Sequence, residues 1–537
     1  MKLRDYQSGC IEATHKAWET HNRVMNVLPT GMGKTEIFVD IARQWSESER
    51  DNNRTLVIAN TRELVEQAAR KIYQRTGVSP GVEMGQSRSN EYAWGRSEFV
   101  VGSKQTLTGR GHRYTRFKDV GLVIVDECHG AATKPYKEMV DYFVDQGAKI
   151  LGKTATPKRH DGKAMANLFD TCAFEMYIAD AVPLGWLCPP VAQCIQIQSL
   201  DLSEVGTKGA GGDFKDGELA KAMEQEKVVF EIAEVTARES VGLKTVVFCA
   251  TVAEARAVAH RLVDRHGVRA DWVCGDERLR SKQDRAEVLR SFTEDPDGIQ
   301  IVTNVGVLTT GWDFPGLGHI VMGRPTKSPS LYTQIFGRGT RPLPGVVDFE
   351  GSTAELRRQA IATSAKPHFK VTDLYDNSLE HKLVGSFDVM AGSMGLEVIK
   401  KAQDNALGGG PVDVDKALAD AKQQLDDEKD RKRRAAVASA AKYQSVDVDP
   451  LNPNQLASGA SRHDLPVRMN IGRFKGKLLQ DVPDWFLRWG LRKGAFRAAM
   501  NTAVKSELIR RKASSNQPAP KPTAQSIDDV NAMLLER

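Results

Sequence analysis

The chain has 537 residues, 41% of them apolar, which is enough for about three or four domains with buried cores. Lysine and arginine number 75 against 69 aspartate and glutamate; the net charge of +6 excludes a histone-like polycation and a disordered acidic chain, so any basic surface is local. The opening MKLRDYQSGC lacks the apolar core of a secretory signal, no run reaches the roughly 18 apolar residues of a membrane span, and the seven cysteines form no CxxC pair. Together these features predict a cytoplasmic protein without disulfides or zinc ribbons and without membrane contact.

Up to about Gly392, short apolar β-branched runs alternate with amphipathic stretches, the pattern of buried parallel strands joined by helices. In chain order the runs are NRVMNVL, RTLVIAN, EFVVGS, VGLVIVDE, AKILGKT, KTVVFCA, RADWVCG, IQIVTN and GHIVMG. They fall into two series on either side of a turn-rich stretch, Val205 to Phe214, and no internal repeat is visible. This predicts two α/β domains, 1–165 and 231–392, joined by a connecting segment, 166–230. From Ser393 the texture changes. GGGPV at 408–412 breaks the chain, and a charged helix-prone run of mixed sign begins at Asp427, so 393–464 reads as a solvated helical or flexible linker. Between Leu465 and Lys512 there are 12 lysines and arginines against three acidic residues, with interleaved aromatics. That predicts a small basic module at 465–515, followed by a flexible Pro/Ser-rich tail, 516–537.

The segment LPTGMGKTE, Leu28 to Glu36, follows a predicted strand and precedes a helical pattern. Glycines at 31 and 33 let backbone N–H groups approach phosphate oxygens at the positive end of a helix. Lys34 can then reach the β- and γ-phosphates, and the Thr35 hydroxyl can ligate Mg²⁺. The general phosphate-loop pattern has glycine six residues before the lysine, where this chain has Leu28. GLVIVDECHG places Asp126 and Glu127 at the end of an apolar strand, where adjacent carboxylates are costly unless they hold a cation or handle a proton. Asp126 suits the metal, and Glu127 suits a base that activates the attacking water. In RGTR, Arg338 and Arg341 are three residues apart near a predicted helix and so share a face. Delivered across a cleft, they can neutralise charge developing on a γ-phosphate.

With these elements in order, the chain resembles the superfamily 2 helicases and translocases over about residues 1–392. The resemblance implies an α/β fold of two tandem RecA-like (P-loop NTPase) parallel-sheet lobes, to which this chain adds the charged linker and the basic module. The DECH box at 126–129 stands where the family has its DEAD/DEAH box, and LPTGMGKT fits its variant phosphate loop, with Thr30 among the nucleotide-binding positions. LRDYQ resembles the adenine-reading element, with Arg4 and Gln7 the matching positions. ANTRELVEQ and GSKQTL resemble elements that touch the nucleic-acid backbone, at Arg62, Ser103 and Gln105, and LTTGWDFP adds Thr310 for the backbone and Asp313 beside the ribose. His129, Thr154, Thr156 and Gln334 match positions that couple hydrolysis to strand movement. The cofactors implied are ATP and Mg²⁺, and the partner is nucleic acid. The spellings LRDYQ, DECH and TTGWDFP resemble DNA-acting branches, which implies an ATP-dependent DNA helicase or translocase in replication, recombination or repair. An RNA helicase and the motor subunit of a restriction system are the alternatives.

Asp373, Asp376 and the pair Glu380–Lys382 form a short acidic pattern that could be read as nuclease ligands, but such patterns recur by accident. The stretch 469–493 resembles a small module at the C-termini of some exonucleases. Phe474, Trp485, Phe486 and Trp489 interleave there with Arg473, Lys475, Lys477, Arg488 and Arg492. A domain this small needs large side chains for its core, so the rings read mainly as core and the cations as a nucleic-acid grip. Protein docking through 465–515 is the alternative.

Overall fold

The computed structural model describes residues 3–48, 52–89, 97–128, 133–155, 165, 168–209, 212–309, 311–376, 383–392, 394–441, 477–493, 500, 504–505 and 507–508. Side chains at 435–441, 489, 490, 492 and 493 are excluded. The chain divides into two units, Met1–Asp430 and Arg431–Arg537.

The first unit holds two seven-stranded sheets. The first comprises β1 (Arg23–Val27), β2 (Arg54–Ala59), β3 (Gly81–Glu83), β4 (Phe99–Ser103), β5 (Val120–Val125), β6 (Lys149–Thr154) and β7 (Thr171–Glu175). The second comprises β8 (Pro190–Gln196), β9 (Thr245–Phe248), β10 (Ala270–Cys274), β11 (Ile301–Val305), β12 (His319–Met322), β13 (Phe369–Tyr375) and β14 (Val412–Asp413). The strand order is β3-β4-β2-β5-β6-β1-β7 in one and β10-β11-β9-β12-β13-β8-β14 in the other. It is the same order twice, although the two halves share no visible sequence repeat. All pairings are parallel except that of the short edge strand β14 with β8.

The duplication extends to local chemistry. The helix after β2, Arg62–Thr76, is capped by the Thr61 hydroxyl and ends on Gly77 at φ +73°. The helix after β9, Val252–His266, is capped by the Thr251 hydroxyl and ends on Gly267 at φ +62°. In both helices a hydroxyl satisfies an orphan N–H at the start and a glycine accepts the left-handed turn at the end. The turns after the corresponding strands β1 and β8 differ. After β1 lies the glycine loop. After β8, the backbone N–H groups of Gln198 and Ser199 both donate to the Glu231 carboxylate, at 2.8 and 3.2 Å.

All nine predicted runs are strands, and most are continuously buried, the half-buried β10 being the exception, which is why they read so clearly. The stretch 166–230 is more than a connector: it supplies β7 to the first sheet and β8 to the second. The stretch from 393 is likewise not all solvated linker. Helix Leu396–Ala406, β14 and the start of the helix Val414–Ala441 pack on the second lobe, burying Val414, Leu418 and Ala421. These apolar positions are spaced four and three residues apart, a single helical stripe masked by surrounding charge. Asp373 lies in β13, and its carboxylate accepts from Tyr332 Oη at 2.5 Å and from Ser386, so it is committed to the core; Glu380 and Lys382 lie outside the described residues.

In the second unit, Leu479, Val482, Phe486, Leu487 and Val504 form a small core, with the half-buried Trp485 ring edge-on to Phe486. Arg473, Phe474 and Lys475 lie outside the described residues, as do the side chains of Trp489 and Arg492. Among the described residues, no helix is long and apolar enough to cross a membrane.

Candidate active site

The glycine loop leaves β1 at Leu28, whose N–H donates to the Thr154 carbonyl of β6 at 3.0 Å. Leu28 is fully buried, which explains an apolar residue where the general pattern has glycine. Gly31 and Gly33 adopt φ of +91° and +70°. A Cβ at Gly31 would lie 2.8 Å from Arg341 Cγ, and one at Gly33 would lie 2.5 Å from Gln7 Nε2. Both positions favour glycine for their left-handed backbone, and Gly31 also for the close approach of the Arg341 stem. Lys34 and Thr35 open the helix Lys34–Ser46, at its positive end.

At the end of β5, Asp126 continues the sheet through its N–H to Ile58, and its Oδ1 accepts from the Glu127 N–H at 3.1 Å. Glu127 has φ +48°, one of two non-glycine residues with positive φ among the described residues. Such a conformation costs about 1–3 kcal/mol. Glu127 Oε1 meets Lys34 Nζ at 3.0 Å, so the cradle cation and the candidate base pair with each other. Burial, and then the neighbouring Glu127 charge, push the Asp126 carboxyl up to about 6, against the pull of Lys34 and Lys153. A buried carboxylate and a threonine hydroxyl lining one cleft are hard oxygen donors that suit Mg²⁺.

The second lobe supplies the far wall. The helix Pro329–Gly339 carries Arg338 inward. The Arg338 guanidinium is buried, with Nε and Nη2 donating to the Thr309 carbonyl at 3.0 and 2.6 Å and Nη1 to the Trp312 carbonyl at 2.5 Å. Arg341 packs on Gly31 and pairs with Asp313. Gly337 faces Thr30 so closely that a Cβ there would lie 2.7 Å from the threonine Cβ. Thr30, Gly31, Gly33, Lys34, Thr35, Asp126 and Glu127 thus share one cavity of about 460 Å³ with Asp313, Arg338 and Arg341.

Gln7 is buried beside this cavity. Its Oε1 accepts from the Arg4 N–H at 2.9 Å and its Nε2 donates to the Met32 carbonyl at 3.3 Å, so in this state it braces the glycine loop. Arg4 forks onto Asp348 of the second lobe at 2.7 and 2.8 Å. Thr154 and Gln334 are buried at their strand and helix, whereas Arg62 is exposed at the start of its helix. The Ser103 hydroxyl is spent on capping the helix Lys104–Thr108, while Gln105 is exposed and donates to the Asn60 carbonyl at 3.0 Å. His129, Thr156 and Thr310 lie outside the described residues.

Two lysines escaped the sequence reading. Lys153 in β6 is fully buried and donates to the Lys34 carbonyl at 2.8 Å; burial pulls its ammonium down to about 7. Lys366 donates to the carbonyls of Pro315 and Arg341, both at 2.8 Å, and ties the two arginine-side loops together. A lysine inside an apolar strand, as in KILGKT, is the available signal for the first, because such a cation must find partners. Replacing the buried Lys366 with methionine leaves two half-buried carbonyls without their donor, so we expect a loss of about 1–3 kcal/mol in stability. A thermal melt of the variant checks this, and an unchanged melting temperature would remove Lys366 as the tie.

The family model described as "Type III restriction enzyme, res subunit" matches residues 1–159, and that described as "Helicase conserved C-terminal domain" matches 226–342. The chain is a superfamily 2 helicase-family protein. This helicase-family chain is 30% identical over 372 residues to IRC3 of Saccharomyces cerevisiae, named as an ATP-dependent helicase, covering 66% of this chain and 52% of IRC3. It is also 30% identical over 172 residues to the DNA 3′–5′ translocase XPB2 of Sulfurisphaera tokodaii, covering 30% of this chain and 33% of that relative. A solved fragment described as an HsdR subunit of a type I restriction enzyme from Vibrio vulnificus shares the fold. Its TM-score is 0.50 at 21% identity, covering 71% of this chain and 70% of the fragment. The chain spans about half the length of IRC3 and less of XPB2.

Proposed function

We propose that this helicase-family chain is an ATP-dependent DNA helicase or translocase that couples ATP hydrolysis to movement along, or remodelling of, DNA. One observation carries the reading: a single cavity is lined by Lys34, Thr35, Asp126 and Glu127 from one lobe and by Arg338 and Arg341 from the other. ATP bound there would draw Lys34 from Glu127 to its phosphates and free the carboxylate to take a proton from the attacking water. Mg²⁺ held by Thr35 and Asp126 would neutralise charge on the phosphate oxygens. Arg338 and Arg341 favour the closed lobes while a γ-phosphate is present, and its loss lets them part. Lobes that grip a strand differently in the two states move along it, and backbone contacts make that movement sequence-tolerant. Support for DNA comes from the relative named a DNA translocase and from the motif spellings.

The 465–515 module would add a second, electrostatic grip on DNA. With its cysteines all free, the chain suits the reducing cytoplasm. The test is ATPase stimulation by single-stranded DNA, duplex DNA and RNA across a salt series, with the full chain and with a chain ending at 464. Stimulation by DNA, with a shallower salt slope in the shorter chain, is expected. Stimulation by RNA alone would sink the DNA reading. A second reading, the motor subunit of a restriction system, is favoured by the "Type III restriction enzyme, res subunit" match. A methyltransferase that copurifies with the chain would establish it.

A further inference from the structure

In the first sheet β2 lies between β4 and β5, with Ala59 opposite Ser103 and Ile58 opposite Val125. The turn that leaves β2 at Asn60 is therefore flanked on one side by the short helix Lys104–Thr108, which bears Gln105, and on the other by the turn bearing Glu127. The hydrogen bonds follow that order. Gln105 Nε2 donates to the Asn60 main-chain oxygen at 3.0 Å, and Asn60 Nδ2 donates to the Glu127 main-chain oxygen at 3.3 Å. Gln105 is exposed, Asn60 is half-buried, and Glu127 is held in a left-handed conformation inside the cleft. The three residues span the distance from the surface to the site.

We propose that Asn60 is a positioning residue that transmits nucleic-acid contact at Gln105 to the backbone of Glu127. The inference rests on the nucleic-acid reading above. A phosphodiester oxygen is a charged acceptor and outcompetes a neutral carbonyl for the exposed Gln105 amide. The Asn60 peptide is then released, and its side chain no longer holds the Glu127 carbonyl in place. One hydrogen bond of about 1 kcal/mol is comparable with the 1–3 kcal/mol that a left-handed residue costs, so a single bond is enough to shift this turn between two arrangements. The Lys34–Glu127 pair of the resting site makes that shift consequential, since Glu127 must leave Lys34 to act.

The test uses the full chain and oligo(dT), with ATPase measured in its presence and absence and affinity read by fluorescence anisotropy. Asn60→Ala removes the side-chain donor, and Asn60→Asp removes it while keeping the shape and volume, so that a folding defect in one does not spoil the test. Both variants are expected to keep oligo(dT) affinity while basal turnover rises toward the stimulated rate, so that the fold-stimulation drops by about fivefold or more. A merely structural role would lower basal and stimulated rates together and leave their ratio unchanged, which would overturn the proposal. Full stimulation in both variants overturns the relay alone. A wild-type ATPase that no nucleic acid stimulates overturns the relay and the motor reading together.

Discussion

Glu127→Gln is expected to lower ATP turnover by roughly 10²–10⁴-fold while nucleotide binding is retained or tightened. Glutamine fills the same volume but takes no proton, so the attacking water loses its acceptor. Lys34 is paired with Glu127 at 3.0 Å, and the substitution also releases that cation for the phosphates. Rate and affinity should therefore move apart, a signature that general misfolding would not produce. Steady-state hydrolysis and equilibrium binding of a nucleotide on the purified variant check it. Turnover unchanged from wild type would remove Glu127 as the base and with it the division of labour between Asp126 and its neighbour.

The second large effect is expected at Arg338. Arg338→Ala should reduce turnover by roughly 10³-fold or more if the guanidinium stabilises charge on the transferring phosphoryl group. Its three donors are spread over the carbonyls of Thr309 and Trp312, so the planar fork also shapes the loop that carries Gly311 and Asp313 to the cleft. Arg338→Lys should therefore fail to rescue, because a point charge with one nitrogen cannot span both carbonyls. The informative comparison is turnover against nucleotide affinity in the two variants. A lysine variant with wild-type turnover would reduce the arginine to a simple counter-charge.

The parts of this molecule that were legible in the sequence are those where burial is uniform. Runs such as RTLVIAN and VGLVIVDE have no polar interruption and lie inside the sheets. β8 and β13 were not seen because polar residues break the pattern, and their partners come from elsewhere in the chain. Lys370 of β13 pairs with Glu239, and Asp373 with Tyr332. The same reason hid Lys153 and Lys366, whose roles depend on carbonyls brought to them by folding. In the site, the glycine loop, the acid pair and the two arginines were readable because each needs particular residue types at fixed spacing. Asn60 was not: its importance lies in which strands flank β2, and that order is set only when the sheet assembles. The resemblance places Ser103 at the nucleic-acid backbone, and in the fold its hydroxyl also caps a helix, which spacing alone does not reveal.

The turn after β8 occupies, in the second sheet, the place that the glycine loop occupies in the first. Its amides are taken by the Glu231 carboxylate, a built-in anion where the other half would receive a phosphate. The second half therefore carries an internal carboxylate where the first half leaves its turn amides open to a ligand. If the glycine loop takes a nucleotide, this asymmetry predicts one bound nucleotide per chain, and a binding titration that gave two would contradict it.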